Sequence, residues 1–249
     1  MNDYLKTEHL IEERNFIDNI PIIRFNLKNK RGKLPTIILY HGWSSSKDSQ
    51  RMRGFILANL GFQVIIPDAN YHGQRNRLKN YDGDSTVKYF WPTITNNLEE
   101  ANIIIDYSVK HYNADPNRIG VIGHSMGGFT AAGVFTHNEN IKTAVVLNGS
   151  FNWNGANEIF KRYLGLEGDT RNPLDPMTNQ ELLVDRPILL LHGGADNVVN
   201  IESQRDFYKH MKKSYRDKSL IQLIEYENLG HFVTTNMMDE AATWFKKYL

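Results

Sequence analysis

The sequence predicts an α/β fold, a mostly parallel central sheet with helices on both faces. Three observations carry this. Five short runs rich in Ile, Val and Leu recur along the chain, and near-continuous apolar runs suit strands covered on both faces. Longer segments of helical character separate most of them, as right-handed crossovers between parallel strands require. Finally, Ser125 lies between two glycines, Gly123 and Gly127, where one of these strands meets the next helix. A serine there must take a strained backbone conformation, which holds its hydroxyl out of the sheet.

The elements follow in order. Residues 7–28 read as a β-hairpin, Glu8–Ile17 and Ile20–Lys28, turning at Asp18-Asn19. Thr36–Tyr40 is the first parallel strand and runs into His41-Gly42-Trp43. A helix fills Ser49–Leu60, and Gln63–Pro67 is the next strand. A helix over Thr95–Tyr112 leads to the strand Arg118–Gly123, and Met126–His137 is the helix after Ser125. Thr143–Asn148 and Pro187–His192 are further apolar strands. Ile201–Tyr215 is helical, and the more alternating Ser219–Tyr226 suits a late strand near an edge. Met237–Leu249 closes the chain as a helix. Two segments interrupt the alternation, Asn70–Pro92 and Ser150–Arg186, both aromatic-rich. Long insertions at the catalytic edge shape pockets. The second is short and predicts a small lid, about 150–186, with one helix near Glu158–Leu164. The whole of 1–249 is expected to form one domain.

Candidate chemistry gathers at the carboxyl ends of the strands, where open α/β sheets bind ligands. Leu189-Leu190-Leu191-His192-Gly193-Gly194-Ala195-Asp196 ends an apolar run in an acid. Asn228-Leu229-Gly230-His231-Phe232 sets a histidine in a glycine loop before the last helix. The order Ser125, Asp196, His231 is that of α/β-hydrolases rather than of chymotrypsin or subtilisin. Ser125 would be the nucleophile, His231 its base, and Asp196 the acid that orients the imidazole. Asp169, Asp175 and Asp185 are rival acids, but they fall in the lid or ahead of the strand. The backbone amides of Trp43 and Met126 are the expected oxyanion donors. His41, His72, His124 and His192 read as packing or hydrogen-bonding residues. His72, Phe151, Trp153, Phe160 and Tyr163, with Tyr71, are candidates to line the substrate pocket.

These motifs resemble those of α/β-hydrolase-fold serine hydrolases. The closer likeness is to small bacterial carboxylesterases near the dienelactone hydrolase and prolyl-oligopeptidase branch. It is carried by Asp115-Pro116-Asn117-Arg118-Ile119-Gly120-Val121-Ile122-Gly123-His124-Ser125-Met126-Gly127-Gly128 and by Asp68 with Tyr71-His72-Gly73. The resemblance runs from about Pro35 to the end. It implies a three-layer sandwich and a serine hydrolase that cleaves small or medium acyl esters through an acyl-serine. Trp43 stands where lipases carry further glycines of a His-Gly-Gly-Gly motif, so it is expected to wall the acyl site against long chains. A peptidase remains an alternative, weakened by the lack of an N-terminal propeller. An acyl thioesterase and a non-catalytic ligand-binding scaffold are the others.

The composition sets outer bounds. The 249 residues are 41% hydrophobic and 23% charged, with a net charge of +1. Such a balance implies neither a nucleic-acid nor an anionic-membrane partner. With no cysteine, disulfides, thiol catalysis and cysteine metal sites are excluded. Gly120-x-x-Gly123 lacks the remaining glycines of a dinucleotide fingerprint, and no histidine–carboxylate set has metal-ligand spacing. The expectation is therefore an enzyme without cofactor or metal, acting on a small-molecule ester. The N-terminus lacks the apolar core of a signal peptide, which with the absent cysteines fits a cytoplasmic protein. The sequence leaves a homo-oligomer open.

Overall fold

The computed structural model describes residues 5–28, 30–164 and 172–249, with side chains of 161–164 excepted. Strands β1 (Leu10–Ile17) and β2 (Ile20–Leu27) form the expected hairpin. Ile17 pairs with Ile20, and Asp18 takes φ 51° in the turn. β3 (Leu34–Tyr40), β4 (Gln63–Pro67), β5 (Ala114–His124), β6 (Ile141–Leu147), β7 (Ile188–Gly193) and β8 (Ile221–Tyr226) complete one eight-stranded sheet. Its order is β1-β2-β4-β3-β5-β6-β7-β8. Every contact from β4 to β8 is parallel; β2 joins β4 antiparallel.

Successive side chains of a strand point to opposite faces, and the central strands use both. Ile38, Val121, Val146 and Leu190 pack on one face against α2 (Gly83–His111), α3 (Met126–His137) and α5 (Glu202–Ser214). Leu39, Ile122, Val145 and Leu191 pack on the other against α1 (Arg51–Asn59) and α6 (Thr235–Tyr248). This is the three-layer α/β-hydrolase arrangement. α3 is the most enclosed helix, buried from Met126 to Thr136. Gly127 and Gly128 let it lie close to the sheet, where a Cβ would meet the Tyr40 and Leu147 carbonyls, and Gly133 makes room for Trp153.

Two helices differ most from the sequence expectation. α2 begins at Gly83 rather than Thr95 and carries Pro92 in its interior. Proline lacks the N–H that a helix interior uses and normally ends the pattern. Here Asp82 caps the helix by accepting from Ser85 N at 3.1 Å, and the Thr93 hydroxyl donates to the Tyr89 carbonyl at 2.7 Å. Helix α4 (Trp153–Leu164), in the segment expected to form a lid, starts five residues before Glu158. Its first turn is not solvated: Trp153 and Ala156 are buried against Ile94, Met126 and Phe129. No helix among the described residues is long and apolar enough to cross a membrane.

Candidate active site

β5 ends at His124 and α3 begins at Met126, so Ser125 alone makes the turn between them. Its φ of 58° and ψ of −124° lie outside the ordinary regions for a side-chain-bearing residue. Glycines on either side permit the turn. A Cβ on Gly123 would stand 1.9 Å from the Gly127 carbonyl oxygen, and one on Gly127 2.2 Å from the Tyr40 carbonyl oxygen. The two glycines thus let strand, helix and the end of β3 converge beneath the serine.

Asp196 follows β7 and is almost wholly buried. Its Oδ1 accepts from the backbone N–H groups of Val198 and Val199, each at 2.9 Å. Its Oδ2 lies 2.7 Å from Nδ1 of His231. The Nε2–H of His192 donates to the Val199 carbonyl at 2.9 Å, and Nε2 also lies 3.4 Å from Asp196 Oδ2. Burial pushes the Asp196 carboxyl up, but His192, His231 and the Val198 amide outweigh it and hold it well below the usual carboxylate range. An ionised Asp196 requires a donor at His231 Nδ1, which leaves Nε2 as the basic nitrogen.

His231 and Ser125 line one open cleft of about 300 Å³ together with Gly42, Trp43, Ser45, Ser49, Gln50, Arg53 and His124. The backbone N–H groups of Trp43 and Met126 have no hydrogen-bond partner among the described residues. Each belongs to a loop or helix start at the same sheet edge. Two buried histidines brace the Trp43 loop. His41 Nδ1 donates to the Gly42 carbonyl at 2.9 Å and its Nε2 accepts from Ala69 N at 3.0 Å. His72 Nδ1 donates to the Asn70 carbonyl at 2.9 Å, and its Nε2 accepts from Ser44 N at 3.3 Å. Burial pushes both below the usual imidazole value, His72 to about 4, so both act as neutral cross-links. Beside them Lys47 Nζ and Asp68 Oδ2, both buried, meet at 2.6 Å.

The residues expected to line the substrate pocket take other places than this cleft. His72 is fully buried and both of its ring nitrogens are engaged by backbone. Phe151 is a core residue, stacked on Phe207 at 4.7 Å. Trp153 is buried in the α4–α3 contact, and Phe160 packs against Phe90. None of these lines the cleft, and the Tyr163 side chain lies outside the described residues. Trp43 does line it. Its ring sits edge-on to His72, Tyr81 and Phe90, and its Nε1 donates to the Tyr81 carbonyl at 3.3 Å. Among the rival acids, Asp175 receives Trp153 N at 2.8 Å and so ties down α4, while Asp185 pairs with Arg216. Asp169 lies outside the described residues. Sequence reasoning missed the wall formed by Ser45, Ser49, Gln50 and Arg53. The available signal was position, since the first turn of a helix that follows a strand's carboxyl end faces the same edge as the loop.

A match to the prolyl oligopeptidase family covers residues 49–249. The chain belongs to this family. The putative esterase YitV of Bacillus subtilis is 30% identical over 95% of this chain and 98% of its own length. The esterase YjfP of Escherichia coli is 28% identical over 96% of this chain and 99% of its own. A putative dienelactone hydrolase from Klebsiella pneumoniae superimposes with a TM-score of 0.72, covering 96% of this chain and 99% of that one at 19% identity. Family and fold together make the protein a hydrolase.

Proposed function

We propose that the protein is a serine carboxylesterase for small to medium acyl groups. Ser125 is the nucleophile, His231 the general base and acid, and Asp196 the group that orients it. One observation carries the reading. A serine held at positive φ and a histidine bound to a depressed carboxylate share one cleft, beside two backbone amides free to donate. In this scheme Ser125 Oγ attacks the ester carbonyl carbon while His231 Nε2 takes its proton. The negative charge forming on the carbonyl oxygen meets the Trp43 and Met126 amides, donors already fixed in place. His231 returns the proton to the leaving alcohol, and water repeats the cycle on the acyl-serine. Similarity to proteins named as esterases along nearly their whole lengths supports ester chemistry. The family itself also accommodates a peptidase, which is the second reading.

The test pairs two measurements. A fluorophosphonate should label Ser125 and not a Ser125→Ala variant. A panel of p-nitrophenyl esters, acyl thioesters and aminoacyl amides should then show kcat/KM highest for short or medium esters. Preference for the amides would replace the esterase reading with the peptidase one, and no labelling would remove both.

A further inference from the structure

Arg53 stands in the first turn of α1, half-buried, with its side chain on the cleft wall that Ser125 and His231 share. Its one hydrogen-bond partner among the described residues is uncharged: Nη1 donates to Gln50 Oε1 at 2.6 Å. Two arginines around the start of α1 are neutralised. Arg14 pairs with Glu12 and Asp48, and Arg51 with Glu12. Lys47 is locked to Asp68. Arg53 has no carboxylate within ion-pair distance among the described residues, and no acidic residue lines the cleft. A guanidinium keeps its proton even when burial lowers its pKa, as it does here. The cleft thus presents one uncompensated positive charge, with the Ser45 and Ser49 hydroxyls on the same wall. Half-burying a charge without a partner is costly. A ligand that supplies the missing anion recovers that cost.

Position says which part of a substrate would meet it. Arg53 and His124 both line the cleft, and they also border a packing gap, too small for water, against Ile122 and Met238 of α6. The His124 ring lies 4.8 Å from the His231 ring. Arg53 is therefore on the histidine side of the nucleophile. In the scheme proposed above the leaving oxygen takes its proton from His231, so the alcohol part of an ester is the part that would lie on the side of the cleft shared by His231, His124 and Arg53.

We propose that Arg53 is a specificity-determining residue that binds a carboxylate on the alcohol part of the ester, so that the preferred substrates are acyl esters of hydroxy acids. This rests on the serine-hydrolase reading above. The free Nε and Nη2 edge of the guanidinium can take a carboxylate through two parallel hydrogen bonds. A single carboxylate balances the single cation; a phosphate dianion would leave a negative charge unmatched. Hydrolysis would release the carboxylic acid of the acyl group and the hydroxy acid, with water supplying the oxygen and proton as in any ester cleavage.

The experiment compares kcat/KM for 4-acetoxybenzoate and its neutral amide, 4-acetoxybenzamide, in the intact protein and in Arg53→Gln and Arg53→Lys. A second pair, mono-4-nitrophenyl adipate and 4-nitrophenyl hexanoate, puts the carboxylate on the acyl side instead. The carboxylate on the alcohol side should raise kcat/KM by about tenfold or more, the scale of one charge-assisted hydrogen-bond pair. The ratio should fall to near one in Arg53→Gln, be partly kept in Arg53→Lys, and shrink as ionic strength rises. Fluorophosphonate labelling of Ser125 in each variant reports whether the catalytic site is intact. Labelling with no charge preference, or a preference that Arg53→Gln leaves unchanged, overturns the Arg53 assignment alone. A preference confined to the adipate overturns its placement on the alcohol side. Absence of labelling in the unmodified protein overturns the serine-hydrolase reading itself.

Discussion

Ser125, Asp196 and His231 each make a separate claim. Ser125→Ala removes one oxygen at a turn whose backbone is set by its neighbours. Ester turnover should vanish while the unfolding temperature stays within a few degrees of the parent. Wild-type-like turnover would exclude Ser125 as the nucleophile. Asp196→Asn keeps the shape but offers an amide to His231 Nδ1, which favours the wrong tautomer. A loss of about 10⁴-fold in kcat is expected, the size known for the same exchange in a serine protease. Asp175→Asn should instead act on stability, because Asp175 holds the backbone of Trp153 rather than an imidazole. Steady-state kinetics and melting curves on the two variants separate these roles. Trp43→Ala should move the acyl-chain optimum toward longer p-nitrophenyl esters, since the ring and not the amide is lost; an unchanged chain profile would free Trp43 of that role. All three triad candidates were legible in the sequence because glycines and strand ends mark them. The pocket residues were not. Aromatic composition does not reveal which way a ring points, and Phe151, Trp153 and His72 spend theirs on core and loop bracing.

At the scale of elements, the crossing of β3, β5 and α3 beneath Ser125 is the most demanding geometry. Gly127→Ala would drive a methyl into the Tyr40 and His41 carbonyls, at 2.2 and 2.7 Å. Overpacking of this kind costs about 1–3 kcal/mol or more, and it should lower turnover as well, because the Trp43 loop continues from β3. Denaturant titration alongside ester hydrolysis measures both; loss of neither would mean that the helix can retreat from the strand. The apolar centre of every strand was read from sequence, since runs buried on both faces leave a strong pattern. β5, however, begins at Ala114, four residues before the expected Arg118, where the segment 114–117 is polar. α2 was read short because Pro92 hides its first three turns. Their helical state depends on the Asp82 cap and on packing of Phe90 and Trp91 against Phe129, a tertiary cause that local pattern does not contain.

Across the whole molecule, acid stability follows from the buried neutral histidines. His72 titrates near 6.5 in an unfolded chain and about 4 in the fold. The unfolded state therefore binds more protons between these values, and stability falls as pH drops from about 6.5 toward 4. His124, lowered to about 3 by burial, His231 and Arg53, extends the decline. His72→Gln should be less stable at pH 7.5 yet show a shallower loss between pH 6.5 and 4. Denaturant melts across that range would detect an unchanged slope, which would remove His72 from the cause. The enclosure of α3 bears on how the protein wears out. A helix covered on all sides has no local route to opening, so its amides exchange with solvent only when the entire molecule unfolds. Ser125 sits at the head of that helix, in the region expected to be last to come apart. Heat should therefore not silence the enzyme ahead of its collapse: the temperature of half-inactivation and the melting temperature should coincide. Amide exchange across residues 126–136 should be the slowest in the chain.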